Sequence, residues 1–306
     1  MKRFSLIALL MFLATPLFAA QMLVGTYNIR LKVASDSVKG EVWKKRCQVM
    51  CDQLNFMAPA IFGTQEVLHV QLLDLLNGLD GYDYIGVGRD DGKTGGEYSA
   101  IFYKPSEVRL LDQGNFWLNE TPDRPAIGWD AACIRICTWG KFARQTATND
   151  EAFYYFNLHM DHVGVVARRE AAKLIVNKIR EIAHGAPVIV TGDFNVDQND
   201  EIYSIFTRSG LLKDSYEAAR LRFAENGTFN SFDIDLYTDS RIDHVFVSPA
   251  VQVDAYGILT NSYWVPNAES NTTVKGHDAP QQIDFSHYTR RQPSDHYPVF
   301  VRLLLP

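Results

Sequence analysis

The run Val188-Ile189-Val190-Thr191-Gly192-Asp193-Phe194-Asn195 constrains the fold of this chain more than any other stretch. Three β-branched apolar residues in succession predict a strand buried on both faces, and such a strand needs a layer of structure above and below its sheet. Gly192 reads as a sharp turn that delivers Asp193 and Asn195 to the strand end. Strand ends are where α/β proteins place their ligand sites. Alone, Asp193 reads equally well as an Asx-turn that caps the next helix. Its company elsewhere in the chain has to decide.

Comparable apolar runs predict strands at 22–29, 60–63, 82–87, 98–103, 107–118, 132–139, 153–158, 241–247 and 297–304. Helical spacing of apolar residues predicts helices at about 41–57, 69–79, 165–183 and 200–209. Residues 35–40 read as a polar loop and 261–294 as an irregular one. The segment 88–96 is a Gly-rich, charged hairpin loop, and it lacks the following helix that a Walker A loop needs. The loop 121–130 is long and mixed, and such loops on rigid scaffolds often shape sites. These last two loops, the first carrying Arg89, are the candidates for substrate selection. Strands and helices alternate without repeat, low-complexity tract or linker. A single two-sheet α/β domain over residues 21–306 is therefore expected.

The 306 residues carry a formal net charge of -6 and no Lys/Arg block, so composition gives no footprint for nonspecific nucleic-acid binding. A metal in the site could still supply positive charge locally. Residues 1–20 read as a signal peptide: Lys2-Arg3, an apolar run from Ser5 to Leu17, then Phe18-Ala19-Ala20. No second apolar run follows, and no Cys sits at the cleavage region. The mature chain is expected in the periplasm or outside the cell, without stable membrane insertion or an obligate protein partner; a retained N-terminal anchor is the alternative. Cys47/Cys51 and Cys133/Cys137 are each spaced i, i+4, which is awkward for a bridge on either a helix or a strand, so buried thiols are expected, with a bridge between the two pairs as the alternative.

The chemistry is suggested by what ends the strands: Asn28, Glu66, His159, Asp161, Asp193, Asn195, Asp243, Asp295 and His296. Each has an ordinary structural reading alone, as a turn former, a cap or a hydrogen-bonded histidine. All of them at strand ends of one domain is a different matter. Carboxylates and carboxamides are hard oxygen ligands suited to Mg²⁺ or Mn²⁺. The absence of HExxH, of Cys/His zinc spacing and of GxSxG removes the signatures of a zinc hydrolase and a serine hydrolase. Hard ligands beside histidines and an aspartate point to metal-assisted hydrolysis of a phosphoester.

Taken together, Thr-Tyr-Asn28-Ile, Gly-Thr-Gln-Glu66, Asn-Leu-His159, Thr-Gly-Asp193-Phe-Asn195, Arg-Ile-Asp243-His and Ser-Asp295-His296-Tyr-Pro-Val resemble the endonuclease/exonuclease/phosphatase superfamily, in the family's order along nearly the whole mature chain. The resemblance implies a four-layer α/β sandwich of two packed mixed β-sheets flanked by helices, with the site at one end. It implies Glu66 as main metal ligand with Asn28 and Asp295 beside it. Asp193 would position or activate water, and Asn195 would hold the scissile phosphate. His296 would act as base or stabilise the transition state, oriented by Asp243, and His159 would be a second histidine on the phosphate. Where the abasic-site branch carries an acid two residues after the Asn, this chain has Arg30. That weighs against a two-metal scheme built on the acid and suggests an extra phosphate contact. Asp161 and His162 are expected at the same rim as substrate-binding groups; Arg168 and Arg169 read as solvated surface. The implied substrate is a phosphomono- or phosphodiester: a sugar phosphate, a lipid head group or, as the alternative, DNA or RNA. Trp117, Trp129, Trp139, Tyr263 and Trp264 read as core rather than as a stacking groove. An inactive binding subunit would have lost a ligand or the final histidine, and neither is lost.

Overall fold

The structure is a computed structural model that describes residues 21–146 and 151–306. The expected signal peptide lies outside the described residues. In chain order the elements are β1 (Met22–Asn28), α1 (Ala34–Val38), α2 (Trp43–Met57), β2 (Ile61–Gln65), α3 (His69–Gly78), β3 (Asp83–Ile85), β4 (Ile101–Tyr103), β5 (Val108–Trp117), β6 (Ile136–Arg144) and β7 (Phe153–His159). There follow α4 (Val165–Ala183), β8 (Val188–Asp193), α5 (Tyr203–Thr207), β9 (Lys213–Asp214), α6 (Ser215–Ala218), β10 (Leu221–Phe223) and β11 (Asp243–Val247). The chain ends with β12 (Gln252–Ile258), β13 (Tyr263–Pro266), β14 (Thr273–Lys275), β15 (Asp284–Ser286), β16 (Tyr288–Arg291) and β17 (Val299–Leu304).

Two mixed sheets, β10-β12-β17-β1-β2-β4-β3 and β5-β6-β7-β8-β11-β9, stack face to face. Val24, Ile61 and Ile101 of the first meet Tyr155, Ile189 and Val245 of the second in one core. On the outer face of the first sheet, Tyr27, Phe62 and Phe102 pack with Trp43, Met50, Leu54, Leu72 and Leu75 from α2 and α3. On the outer face of the second, Phe156, Val190 and Phe246 pack with Ala171, Ile175 and Ile179 from α4. The result is the four-layer α/β sandwich, and it explains why the central strands read as continuous apolar runs. Among the described residues no helix is long and apolar enough to cross a membrane.

Because side chains alternate along a strand, one face of each central strand looks into the gap between the sheets. That face changes character toward one end. It runs Val24, Thr26, Asn28 on β1; Ile61, Gly63, Gln65 on β2; Tyr155, Asn157, His159 on β7; and Ile189, Thr191, Asp193 on β8. The apolar level packs, the next level hydrogen-bonds across the gap, and the last level opens as the site. At the middle level the Gln65 amide donates to Asn157 Oδ1 at 2.7 Å and to Thr26 Oγ1 at 2.9 Å. Asn157 Nδ2 donates to the carbonyls of Thr64 and Ala100, and Thr191 Oγ1 donates to Asn157 Oδ1 at 3.1 Å. Gly63 makes room for this: a Cβ there would lie 2.2 Å from Asn157 Oδ1.

Several expectations need correction. Gly192 lies inside β8 rather than at a turn. With φ 154°, its backbone passes so close to β7 that a Cβ would lie 2.2 Å from the Leu158 carbonyl oxygen. The turn itself comes at Asn195, in the left-handed region at φ 51°. The short helix α1 overlaps the expected polar loop 35–40. The segment 261–294 is not an irregular loop, since β13 pairs with β16 and β14 with β15 in two ribbons whose outer residues are exposed, which explains their polar sequence. The strand β12, antiparallel to β17, was not foreseen, because Asp254 and a register shift between Val253 and Ala255 break its alternation. The helix expected at 200–209 shrinks to α5. Of the aromatic residues assigned to the core, Trp264 is 60% exposed. All four cysteines carry free thiols, three of them buried.

Replacing Gly63 by Ala should cost about 3 kcal/mol of stability, since the added carbon must push the two sheets apart. Gly210→Ala, whose Cβ would enter open space at φ 74°, should cost only about 1 kcal/mol. Urea unfolding midpoints of the two variants would read the difference.

Candidate active site

The strand register sets the site directly. The parallel pairing of β7 and β8 puts His159 beside Asp193, and the antiparallel pairing of β8 and β11 puts Asp243 on the other side of Asp193. Asn28 ends β1 opposite Gln65, the last residue of β2. Glu66 follows Gln65 and in an extended strand would face the opposite way. Its left-handed backbone, φ 62°, turns it back toward the site. Such a conformation costs a non-glycine residue free energy and is concentrated at functional sites. Arg30 and Asn195 share it at φ 58° and 51°. The buried guanidinium of Arg46 on α2, absent from the sequence reading, holds the backbone beneath, donating to the carbonyls of Ile29 (2.8 Å), Arg30 (3.2 Å) and Pro293 (3.0 Å).

Asp193 is the hub. Its Oδ2 lies 3.4 Å from His159 Nε2 and 3.8 Å from His296 Nε2, and its Oδ1 accepts from the Asn195 backbone N–H at 2.9 Å. His296 Nδ1 is 2.9 Å from Asp243 Oδ2, a pair that fixes the ring and its tautomer. Burial alone would lower the His296 pKa. The Asp243 carboxylate outweighs it, and the pKa stands well above the usual value, so the ring is an imidazolium at neutral pH. Burial and then the Asp243 charge raise Asp193 to about 7. Burial, with Arg135 and Arg89 nearby, holds His159 well below its usual pKa, so this second histidine is neutral. Groups with opposed shifts in one cleft mark acid/base partners.

The carboxylates of Glu66 and Asp295 form the other half. Asp295 is raised by burial, with the Glu66 charge adding to it, despite the positive charges of His296, Arg30 and Arg46 nearby. The hard oxygens of the two acids fit a divalent cation such as Mg²⁺. Asn28 lies between the two halves. Its Nδ2 donates to Glu66 Oε1 and to Asp193 Oδ2, both at 3.0 Å, while its Oδ1 accepts from the Arg30 N–H. Flanked by carboxylates, the amide nitrogen must point at them. Asn28 therefore ties the two halves together. The acids and histidine of Asp193, Asp243 and His296 converge within 4.8 Å. We read them as a proton-handling group, because the Asp243–His296 hydrogen bond consumes the Nδ1 lone pair or proton.

A cavity of about 440 Å³ opens over these residues, lined also by Arg30, Arg89, Glu97, Cys133, Arg135, His162, Asn195 and Phe229. Asn195 Nδ2 donates to the Met160 carbonyl at 2.9 Å, which leaves its second N–H for a ligand. Arg89 lines the wall as expected but is forked onto Glu97 at 2.7 and 2.8 Å. Glu97 was missed: it falls between the hairpin loop and the strand that follows, and matches no motif. Its carboxylate is 4.0 Å from His159 Nδ1.

His162 is at the rim, 2.9 Å from Arg135, but Asp161 is not a substrate group. Asp161 Oδ1 accepts from the Val163 and Gly164 N–H groups, and Oδ2 from Ala132 N–H and Arg135 Nε, so it fastens the loop to the start of α4. These saturated oxygens also disqualify Cys133, Asp161 and His162 as a metal site, although their ligand atoms lie close together. The loop 121–130 lines none of the cavity. Its end is docked on α4, where Asp130 accepts from Val166 and Ala167 N–H. Arg168 Nη1 donates to the Asp161 carbonyl, and Arg169 pairs with Glu201 at the surface.

A family model described as "Endonuclease/Exonuclease/phosphatase family" matches residues 25–296. Among solved structures, an endonuclease/exonuclease/phosphatase family protein from Bacteroides thetaiotaomicron is 45% identical, with 94% of this chain and 98% of that one covered at a TM-score of 0.86. A mannosyl-6-phosphatase of Bacteroides thetaiotaomicron is 46% identical, with 92% and 99% covered and a TM-score of 0.84. A family protein from Bacteroides vulgatus is 37% identical, with 94% and 100% covered and a TM-score of 0.79.

In Asp243→Asn, the His296 imidazole should titrate at markedly lower pH, read by NMR of the ring protons, because the buried charge that holds its proton is gone. For Asp161, burial would raise the pKa, but the four donors outweigh it and hold the carboxyl below its usual value. A lowered native pKa stabilises above the unfolded-state value of ~3.9 and loses that contribution as pH falls through it. Asp161→Asn should therefore cost about 3 kcal/mol at pH 7, and the gap in melting temperature from wild type should narrow below about pH 4.

Proposed function

The chain belongs to the endonuclease/exonuclease/phosphatase family, whose members hydrolyse phosphoester bonds, and on that premise we propose an exported, Mg²⁺- or Mn²⁺-dependent phosphatase that acts on a sugar phosphate. The carrying observation is the charge balance of the cavity lining. Arg89 is neutralised by Glu97 and Arg135 by Asp161, with His162 beside them, and Phe229 is the one aromatic among the lining residues. A nucleic-acid groove needs unbalanced basic residues and stacking rings, and a lipid needs an apolar wall. Charge-balanced pairs offer donors and acceptors to a small, neutral, hydroxyl-rich group. The 46% identity to a mannosyl-6-phosphatase supports the same class. The N-terminal Lys2-Arg3, apolar run and small residues support export.

Glu66 and Asp295 would hold the cation. Bound there, it would polarise a phosphate oxygen and offset charge on the leaving oxygen. Asp193, with a pKa about 7, is poised to take a proton from the attacking water at neutral pH. His296, as imidazolium, donates to a phosphate oxygen where charge builds, and neutral His159 provides a second contact. Asn195 orients the phosphate with its spare N–H. On this reading Asp193 is the base and His296 the electrostatic partner.

Purified protein with Mg²⁺ should hydrolyse hexose 6-phosphates with higher kcat/KM than bis-p-nitrophenyl phosphate, plasmid DNA, RNA or sphingomyelin; preference for a nucleic acid would replace this reading with a nuclease. EDTA should stop turnover reversibly. Glu66→Ala should abolish it with an unchanged circular dichroism spectrum, and Asp193→Asn should lower kcat by about 10²–10⁴-fold.

A further inference from the structure

Arg30 lines the cavity beside Glu66 and Asp295. Its backbone is held in the left-handed region by its own N–H on Asn28 Oδ1 and by its carbonyl, which accepts from Arg46 and from Gln71 Nε2 at 3.1 Å. That backbone aims the side chain across the mouth of the acidic half. Asp36 tethers Nε at 2.8 Å, and Nη2 reaches the other Asp36 oxygen at 3.4 Å. The remaining nitrogen, Nη1, lies 3.7 Å from Asp295 Oδ2 and 4.0 Å from Glu66 Oε2. These distances are too long for good hydrogen bonds but well within Coulombic reach. The side chain is 29% exposed, so the charge is only partly screened. Arg30 thus neutralises the two carboxylates without occupying their lone pairs.

Resting on the proposed metal dependence, we infer that Arg30 is a tethered counter-cation of the Glu66–Asp295 pair: it lowers the pair's affinity for a divalent ion and fills the need for a second positive charge, so that the chain binds one ion. Two consequences follow. A positive charge about 4 Å from both ligand carboxylates opposes entry of a second cation and weakens capture of the first. It also keeps the metal-free site from flying apart, since two buried acids otherwise repel each other. The guanidinium stays charged at every working pH, so this restraint does not titrate away.

The test is Mn²⁺ binding by titration calorimetry, paired with thermal melts with and without Mn²⁺. Wild type should bind one ion per chain. Arg30→Gln and Arg30→Met should bind it about ten-fold more tightly, and Arg30→Lys should stay within about three-fold of wild type, because charge and not shape is what matters. Metal-free Arg30→Gln should melt below wild type and gain more from saturating Mn²⁺. Two ions of similar affinity in wild type, or unchanged or weaker binding in both neutral variants, would overturn the inference. Glu66→Ala separates the layers: if it loses the ion while the neutral Arg30 variants bind like wild type, only the role of Arg30 falls. If wild type binds no Mn²⁺, the metal reading falls and this one with it.

Discussion

The structure depends on how closely two sheets approach at one level of their shared face. There Asn157 from β7 is inserted against Gly63 of β2, bonded to Gln65, Thr191 and two carbonyls of the other sheet. Buried polar groups are costly unless satisfied, and apart from Gln65 Oε1 this set is hydrogen-bonded across the gap, so it specifies one alignment of the sheets. An apolar gap could slide; this one cannot without orphaning several amides. Asn28, His159 and Asp193 sit one strand step beyond it, so their positions are inherited from that alignment.

The site is then a problem in placing like charges. Five carboxylates, Glu66, Glu97, Asp193, Asp243 and Asp295, crowd one cavity and its floor. Each has a different answer. Asp243 is paired with His296, Glu97 with Arg89, and Glu66 and Asp295 share Arg30 at longer range. Asp193 accepts from Asn28 and the Asn195 N–H and has His296 3.8 Å away, yet burial and the Asp243 charge outweigh them and its pKa rises. The least compensated acid is the one poised to exchange a proton at neutral pH. Asn28 bridges the proton-handling and cation-facing halves with one amide group, so disturbance of either half is felt by the other.

The residues that the sequence reading missed or misjudged share a physical reason. Glu97 and Arg46 lie off the strand ends, and only folding shows that one neutralises Arg89 while the other grips the backbone under Arg30. Asp161 sits two residues after His159, and its sequence position cannot reveal that its oxygens point at a helix start. Asn28 matched a ligand pattern, and only the fold shows that its amide nitrogen faces carboxylates. In each case the residue type was legible and the direction of the side chain was not. Gly192 looked like a turn because glycine permits turns; it is needed because another strand passes within contact.

The sequence by itself determined the layers and the position of the site. Apolar runs demanded two-sided burial, and polar residues two apart at strand ends had to share one face, because a strand's period is two. The motif order placed Glu66, Asp193, Asn195, Asp295 and His296 in that site. Only the tertiary structure decided who neutralises whom: that Asp243 charges His296, that Arg89 and Arg135 are already paired, and that Arg30 leans on the acids. Electrostatic partnership depends on distances of a few ångströms between chain segments far apart in sequence, and those distances exist only once the two sheets have closed.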